Sequence, residues 1–199
     1  IDLPARICAC SSSIMVSGTV NVPVFLGKYS NTAAVPYPHG DLQTKLFAPP
    51  PALSMTALYD EMSYGNVNLT GTVYDWFEVS NTDVFYEGGC NGLCETSKTG
   101  QFIQEILVGM DPGVNFGIYD NDGPDGVPNS GDDDGYVDFV AFVHPEAGGE
   151  CGTPNLWSHR WVVGGWPEFG DMPWVTDDPS ANGGFIRVWD YTIQPAVGS

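Results

Sequence analysis

The residues best suited to chemistry lie in one stretch, Tyr119 to Asp138. Seven aspartates fall between positions 120 and 138, with no lysine or arginine among them. Gly123, Gly126, Gly131 and Gly135, with Pro124 and Pro128, interrupt the run too often for a helix or strand to occupy it. A loop this acidic repels itself, and a bound cation would let it close. Aspartates at alternate positions with glycines at the bends suit Ca²⁺, which takes roughly six to eight oxygen ligands in flexible geometry. Two clusters are expected, Asp120, Asp122 and Asp125 in one and Asp132, Asp134 and Asp138 in the other. The pattern is not an EF-hand, because Pro124 stands where the fifth-position ligand belongs and no Glu takes the twelfth. The plainer alternative is a solvated acidic surface turn.

Other reactive residues are sparse. His39, His144 and His159 are the three histidines, and no two stand four apart on a helix. A zinc site from His144, His159 and a carboxylate would have to be assembled by the fold; structural hydrogen bonds for His159 and Arg160 are the simpler expectation. No Gly-x-Ser-x-Gly nucleophile elbow occurs. The cysteines are Cys8, Cys10, Cys90, Cys94 and Cys151, an odd number that leaves at least one unpaired within the chain. Cys90 and Cys94, in a glycine-rich segment, read as a small disulfide loop. Their spacing also permits a zinc site, although no second Cys/His pair matches them.

Positioning these residues requires a core. The acidic loop runs into Tyr136–His144, the best strand candidate in the chain. Val20–Leu26 reads as another strand, with Pro23 arguing against a central place in a sheet. Asp41–Phe47 is a short helix closed by Pro49, Pro50 and Pro51. A clearer helix follows, with Ser54 as N-cap, Met55, Leu58, Tyr59 and Met62 as a core-facing stripe, and Gly65 as its end. Val67–Val79 is a strand or hairpin, and a helix from Thr99 or Gly100 carries Phe102, Ile103, Ile106 and Leu107 to about Asp111. Residues 145–184 read mostly as loop, and Phe185–Ile193 as one final strand. Helices alternating with strands predict an α/β (α+β) sandwich, a mixed twisted sheet with flanking helices and long loops.

The 199 residues suffice for one domain, read as 19–199 after an N-terminal extension at 1–18. Hydrophobic residues make up 42%, which excludes a disordered chain. The net charge is −19, and about −12 would remain without the loop aspartates. Such a surface disfavours nucleic acid and anionic lipid as partners. Scarce lysine with abundant Gly and Pro points to a secreted, extracellular or cell-surface protein. No apolar run is long enough to span a membrane.

Several strings resemble the immune inhibitor A family of secreted bacterial zinc metallopeptidases. They are Met62–Asn66, Gly71–Phe77, Tyr119–Gly126, Gly135–Asp138, Val143–Pro145, Trp157–Trp161 and Asp190–Pro195, in order along the chain. The resemblance implies the N-terminal half of a metzincin/zincin-like peptidase domain. It matches the six named aspartates to a calcium loop, and Ile186, Val188, Asp190 and Tyr191 to an edge strand that borders the substrate cleft. The family's H-E-x-x-H motif, in which two histidines bind Zn²⁺ and the Glu activates water, would follow that strand. It does not occur in residues 1–199. Zn²⁺ is therefore expected only with further polypeptide, and truncation just before the active-site helix is the expectation. The bare face of the sheet would be covered by the remainder of the polypeptide, a partner protein or a second copy. The alternative function is a non-catalytic extracellular calcium-binding or assembly subunit on a peptidase-like scaffold.

Overall fold

A computed structural model describes residues 17–198. β1 (Gly18–Lys28) is the axis of a mixed, mainly parallel sheet. β2 (Val67–Val73) lies on one side of it, with the two-residue β3 (Phe77–Glu78) continuing along the same edge. On the other side come β4 (Val140–His144), β8 (Asp190–Pro195) and β5 (His159–Val162), giving the order β2-β1-β4-β8-β5. All pairs are parallel except β5 with β8. β4 and the Val22–Leu26 segment of β1 are apolar on both faces, whereas β8 alternates core Tyr191 and Ile193 with Asp190, Thr192 and Gln194.

β1 is central despite Pro23. Neighbouring residues of a strand turn their polar groups to opposite edges. The Val24 carbonyl accepts Tyr74 N–H on the β2 side, so Pro23 faces the β4 side, where pairing begins only at Val24. The missing N–H therefore interrupts no ladder.

The two crossovers place helices on opposite faces. α1 (His39–Phe47) and α2 (Met55–Met62) link β1 to β2 and lie over Val22, Val24, Leu69 and Val73. α3 (Asp83–Glu87) and α4 (Thr99–Met110) link β2 to β4 and cover the other face, where Phe25, Phe102, Ile106, Phe142 and Tyr191 form the larger core. Val67–Val79 is thus two strands paired with β1, not a hairpin. The N-cap of α2 is as expected: Ser54 Oγ accepts Ala57 N–H at 3.0 Å. Ser54→Ala is expected to cost about 1 kcal/mol in denaturant unfolding.

Three expectations are corrected. The strand expected at Tyr136–His144 starts only at Val140, because Asp138 N–H is committed to the Tyr119 carbonyl. The run Phe185–Ile193 is broken at Trp189: β7 (Phe185–Val188) pairs with β6 (Trp174–Pro179) in a separate two-stranded sheet. The apolar stripe of α2 is not core. Thr56 is its one buried residue, while Met62 is 66% exposed and the neighbouring Tyr64 93%. That stripe borders a groove of about 1060 Å³ between α2 and the β1-β4-β8 face, floored by Val20, Val22, Ala141 and Thr192. Among the described residues, no charged side chain lines it.

Candidate metal centre

The acidic loop is anchored at both ends by the core. A short 3-10 turn, Phe116–Tyr119, buries Phe116 and Tyr119, and the Tyr119 hydroxyl meets Tyr74 at 2.7 Å. Asn129 N–H donates to the Asp120 carbonyl at 2.7 Å, and Asp138 N–H to Tyr119 at 2.8 Å, drawing the loop back on itself. Asp120 ends up 1% exposed.

Carboxylate oxygens of Asp120, Asp122 and Asp134 lie within 4.8 Å of one another. Both Asp120 oxygens are buried without a hydrogen-bond partner among the described residues, and so is Asn121 Oδ1. Asn121 Nδ2 donates to the Thr19 carbonyl at 2.8 Å, which fixes the orientation of that oxygen. Orphaned buried oxygens are costly unless something satisfies them. Burial first, then the charges of Asp133, Asp134, Asp122 and Asp138, push the Asp120 carboxyl up to about 7. Asp138, half-buried, is pushed up to about 6 by that burial first, while accepting Asn121 N–H at 3.2 Å. Asp134 is raised by burial as well. Asp122 and Asp134 are exposed toward a cavity of about 540 Å³, so the cluster is open to solvent on one side. An all-oxygen, anionic donor set of this kind fits a hard cation such as Ca²⁺.

The six expected aspartates are therefore not all equivalent. Asp120, Asp122 and Asp134 are brought together, with Asp138 beside them. Asp125 and Asp132 are exposed and serve turns: Asp125 accepts Val127 N–H at 2.7 Å, and Asp132 accepts Asp125 N–H at 3.1 Å and the Ser130 hydroxyl. Hydrogen bonds, that of Ser130 foremost, hold the Asp132 carboxyl below its usual range. Asp133, absent from the expected set, is buried and accepts Gly123 N–H at 2.7 Å and Ser130 N–H at 2.6 Å. Its position in an Asp-Asp-Asp run gave no periodic signal to separate it from its neighbours.

Cys90 and Cys94 form a disulfide. Cys8 and Cys10 lie outside the described residues, as does the N-terminal extension through residue 16. The histidines do not converge. His39 pairs with Asp75 at 3.2 Å on the surface. His144 is wholly buried at the end of β4, and desolvation pushes it down to about 4. Both ring nitrogens of His159 are engaged, one with Trp157 O and one with Tyr191, each at 2.8 Å. Among the described residues, no cluster of three metal-ligating side chains includes a histidine. These residues do not fit a catalytic zinc.

The strand expected to form one edge is divided between two sheets. Ile186 and Val188 are buried in the β6-β7 hairpin, and Asp190 and Tyr191 belong to β8, which is flanked by β4 and β5. Among the described strands the antiparallel edge of the main sheet is β5, with Arg160 and Trp161 exposed.

A mixed, twisted sheet with crossover helices and one antiparallel edge strand is consistent with a zincin-like peptidase. The comparison with family models is decisive: residues 40–199 match the immune inhibitor A peptidase M6 catalytic domain, and the chain belongs to that family. It is 26% identical over 153 residues to the pre-pro-metalloprotease PrtV of Vibrio cholerae serotype O1, and 27% identical over 159 residues to immune inhibitor A of Bacillus thuringiensis subsp. alesti. The matches cover 72% and 71% of this chain but only 16% and 22% of those proteins. Among the described residues, no helix is long and apolar enough to cross a membrane.

Proposed function

We propose that residues 17–198 are the sheet-bearing part of a secreted, calcium-stabilised zinc metallopeptidase domain, with the zinc ligands supplied by polypeptide beyond these residues. The observation that carries this reading is the groove on the α1–α2 face. In a chain of net charge −19, not one charged group among the described residues lines it. An apolar sheet face that the described residues leave half covered calls for another element. Ala196 packs against the same cluster, and Tyr37 donates to its carbonyl at 3.0 Å, so the backbone leaves β8 on this side. The occupant is the remainder of the same polypeptide, delivered directly from β8.

In this reading Asp120, Asp122, Asp134 and Asp138, with Asn121, hold Ca²⁺ and keep the loop packed against β4. The cation has a structural role: it neutralises carboxylates that would otherwise repel one another beside the core. The outer edge of β5 offers unpaired backbone groups to an extended peptide, and so takes the substrate-strand role expected of Ile186–Tyr191. No catalytic step is assigned to these residues, because they hold neither the zinc ligands nor the Glu that would activate water. Secretion is supported by the acidic, lysine-poor composition and by the Cys90–Cys94 disulfide, a bond that persists in oxidising compartments.

The 199-residue chain, mass-verified and supplied with Zn²⁺, is expected not to cleave casein or a broad peptide library. Chelator-sensitive cleavage by that chain would overturn the assignment of zinc to other polypeptide. The same chain joined to its downstream H-E-x-x-H segment is expected to be active. If no such segment follows, the non-catalytic subunit replaces the peptidase reading.

A further inference from the structure

Tyr191, His159 and Trp166 form a closed relay whose donors and acceptors can be assigned from chemistry alone. Trp166 Nε1–H can only donate, and it reaches the Tyr191 hydroxyl at 2.7 Å. The Trp157 carbonyl can only accept, and it meets His159 Nδ1 at 2.8 Å, so Nδ1 carries a proton. His159 Nε2 lies 2.8 Å from the Tyr191 hydroxyl. That hydroxyl already accepts from Trp166, so its own hydrogen goes to Nε2. His159 is therefore a neutral imidazole protonated on Nδ1. The order is Trp166 N–H to Tyr191 oxygen, Tyr191 O–H to His159 Nε2, and His159 Nδ1–H to Trp157 oxygen.

We propose that this relay is a proton-sensitive latch that ties the edge strand β5, and the turn after it, to the core strand β8. It rests on the hydrogen-bond geometry, and it would regulate the peptide-pairing edge in the reading above. A second proton on His159 converts Nε2 into a donor. Tyr191 oxygen would then face two donors, and its own hydrogen would lose its acceptor. Tyr191 is wholly buried, so water cannot replace that acceptor without the strand opening. One added proton reverses the His159–Tyr191 hydrogen bond, with Nε2–H donating to the Tyr191 oxygen, and strands the buried Tyr191 O–H without an acceptor.

The charged surroundings do not compensate. Arg160 follows His159 on β5 and Asp190 precedes Tyr191 on β8, and these two pair with each other at 2.6 Å. Glu150, across the preceding loop, is bonded by the Ser158 N–H at 3.1 Å and by the Ser158 hydroxyl. Glu168, on the turn beyond Trp166, lies against Gly100 of α4. Burial accordingly holds His159 below its ordinary value.

Two measurements test the latch. Long-range ¹H–¹⁵N NMR on ¹⁵N-histidine-labelled protein, with His159 assigned from the His159→Asn spectrum, reads the tautomer without altering the relay. An Nδ1–H imidazole at pH 7.5 is expected; an Nε2–H imidazole or an imidazolium at that pH overturns the proposal. Amide hydrogen exchange then compares pH 7.5 with pH 5. After correction for intrinsic exchange chemistry, the β5 amides are expected to open at least about tenfold more often at the lower pH, while those of β1 do not. In Tyr191→Phe the β5 amides should open readily at both pH values, with no step. Unchanged β5 opening in the parent protein, or an equal step in Tyr191→Phe, overturns the latch.

Discussion

Calcium is expected to raise the thermal midpoint of this protein by roughly 8–16 °C when it is present at a thousand times its dissociation constant. A ligand that binds only the folded state at that excess adds about 4 kcal/mol, and about 1 kcal/mol moves the midpoint of a 150–250-residue domain by roughly 2–4 °C. The cluster earns this because both oxygens of its central carboxylate are buried without a partner among the described residues. Asp120→Asn should lose most of the shift. In EGTA the same variant should melt no lower than the parent, since it removes a buried charge that nothing balances. The pH dependence of the calcium-free protein follows from the direction of the Asp120 shift. Its carboxyl is raised from 3.8 to about 7 in the folded state, so the folded protein holds a proton that the unfolded chain has already released. That contribution is complete below about pH 4 and is lost as pH rises through about 7. Without calcium this group therefore weakens the fold toward neutral pH, and with calcium the loss should vanish. Identical midpoints in EGTA and in millimolar CaCl₂ would refute a structural cation here.

The parts of the molecule legible in the sequence are those where a local pattern coincides with a local cause. Ser54 caps α2 because a short hydroxyl before an apolar helix start can reach Ala57 N–H. α4 follows its apolar repeat, and its Phe102, Ile103, Ile106 and Leu107 are buried as the spacing demands. The acidic loop was visible because charge density needs no fold to be read. What escaped depends on long-range pairing. Trp189 breaks Phe185–Ile193 into strands of two different sheets, yet nothing in its neighbours' apolar character marks the break. β5 is four residues with no alternation of burial, and it is defined as an edge only by its pairing with β8. Within the loop, spacing alone grouped Asp125 with Asp120, whereas the fold sends Asp125 to a turn and brings Asp134 across from the far end. The relay around Tyr191 joins residues 25 and 32 positions apart, beyond the reach of any motif.

The α2 stripe has the spacing of a core-facing helix without the burial of one. Met55, Leu58, Tyr59 and Met62 have the spacing of a packed helix but remain exposed, and Met55, Tyr59 and Met62 line a groove with no charged side chain among the described residues. The 199-residue chain produced alone is therefore expected to self-associate and to brighten a hydrophobic dye, whereas the polypeptide extended past β8 should be monomeric and dye-silent. Covering several hundred Å² of apolar surface at roughly 25 cal/mol per Å² contributes on the order of 10 kcal/mol, as much as the whole stability of many domains. Met62→Glu separates a real seat from an ordinary surface by the sign of its effect. In the short chain, where Met62 is 66% exposed, the charge should cost little stability and should reduce self-association. In the extended polypeptide it would place a carboxylate under the covering element, and a loss of at least about 2 kcal/mol in denaturant unfolding is expected. If the substitution has the same small effect at both lengths, the groove has no occupant from the same polypeptide. A short chain that is monomeric, dye-silent and cooperatively folded would point the same way. Either result would move the reading from peptidase fragment to self-sufficient calcium-binding subunit.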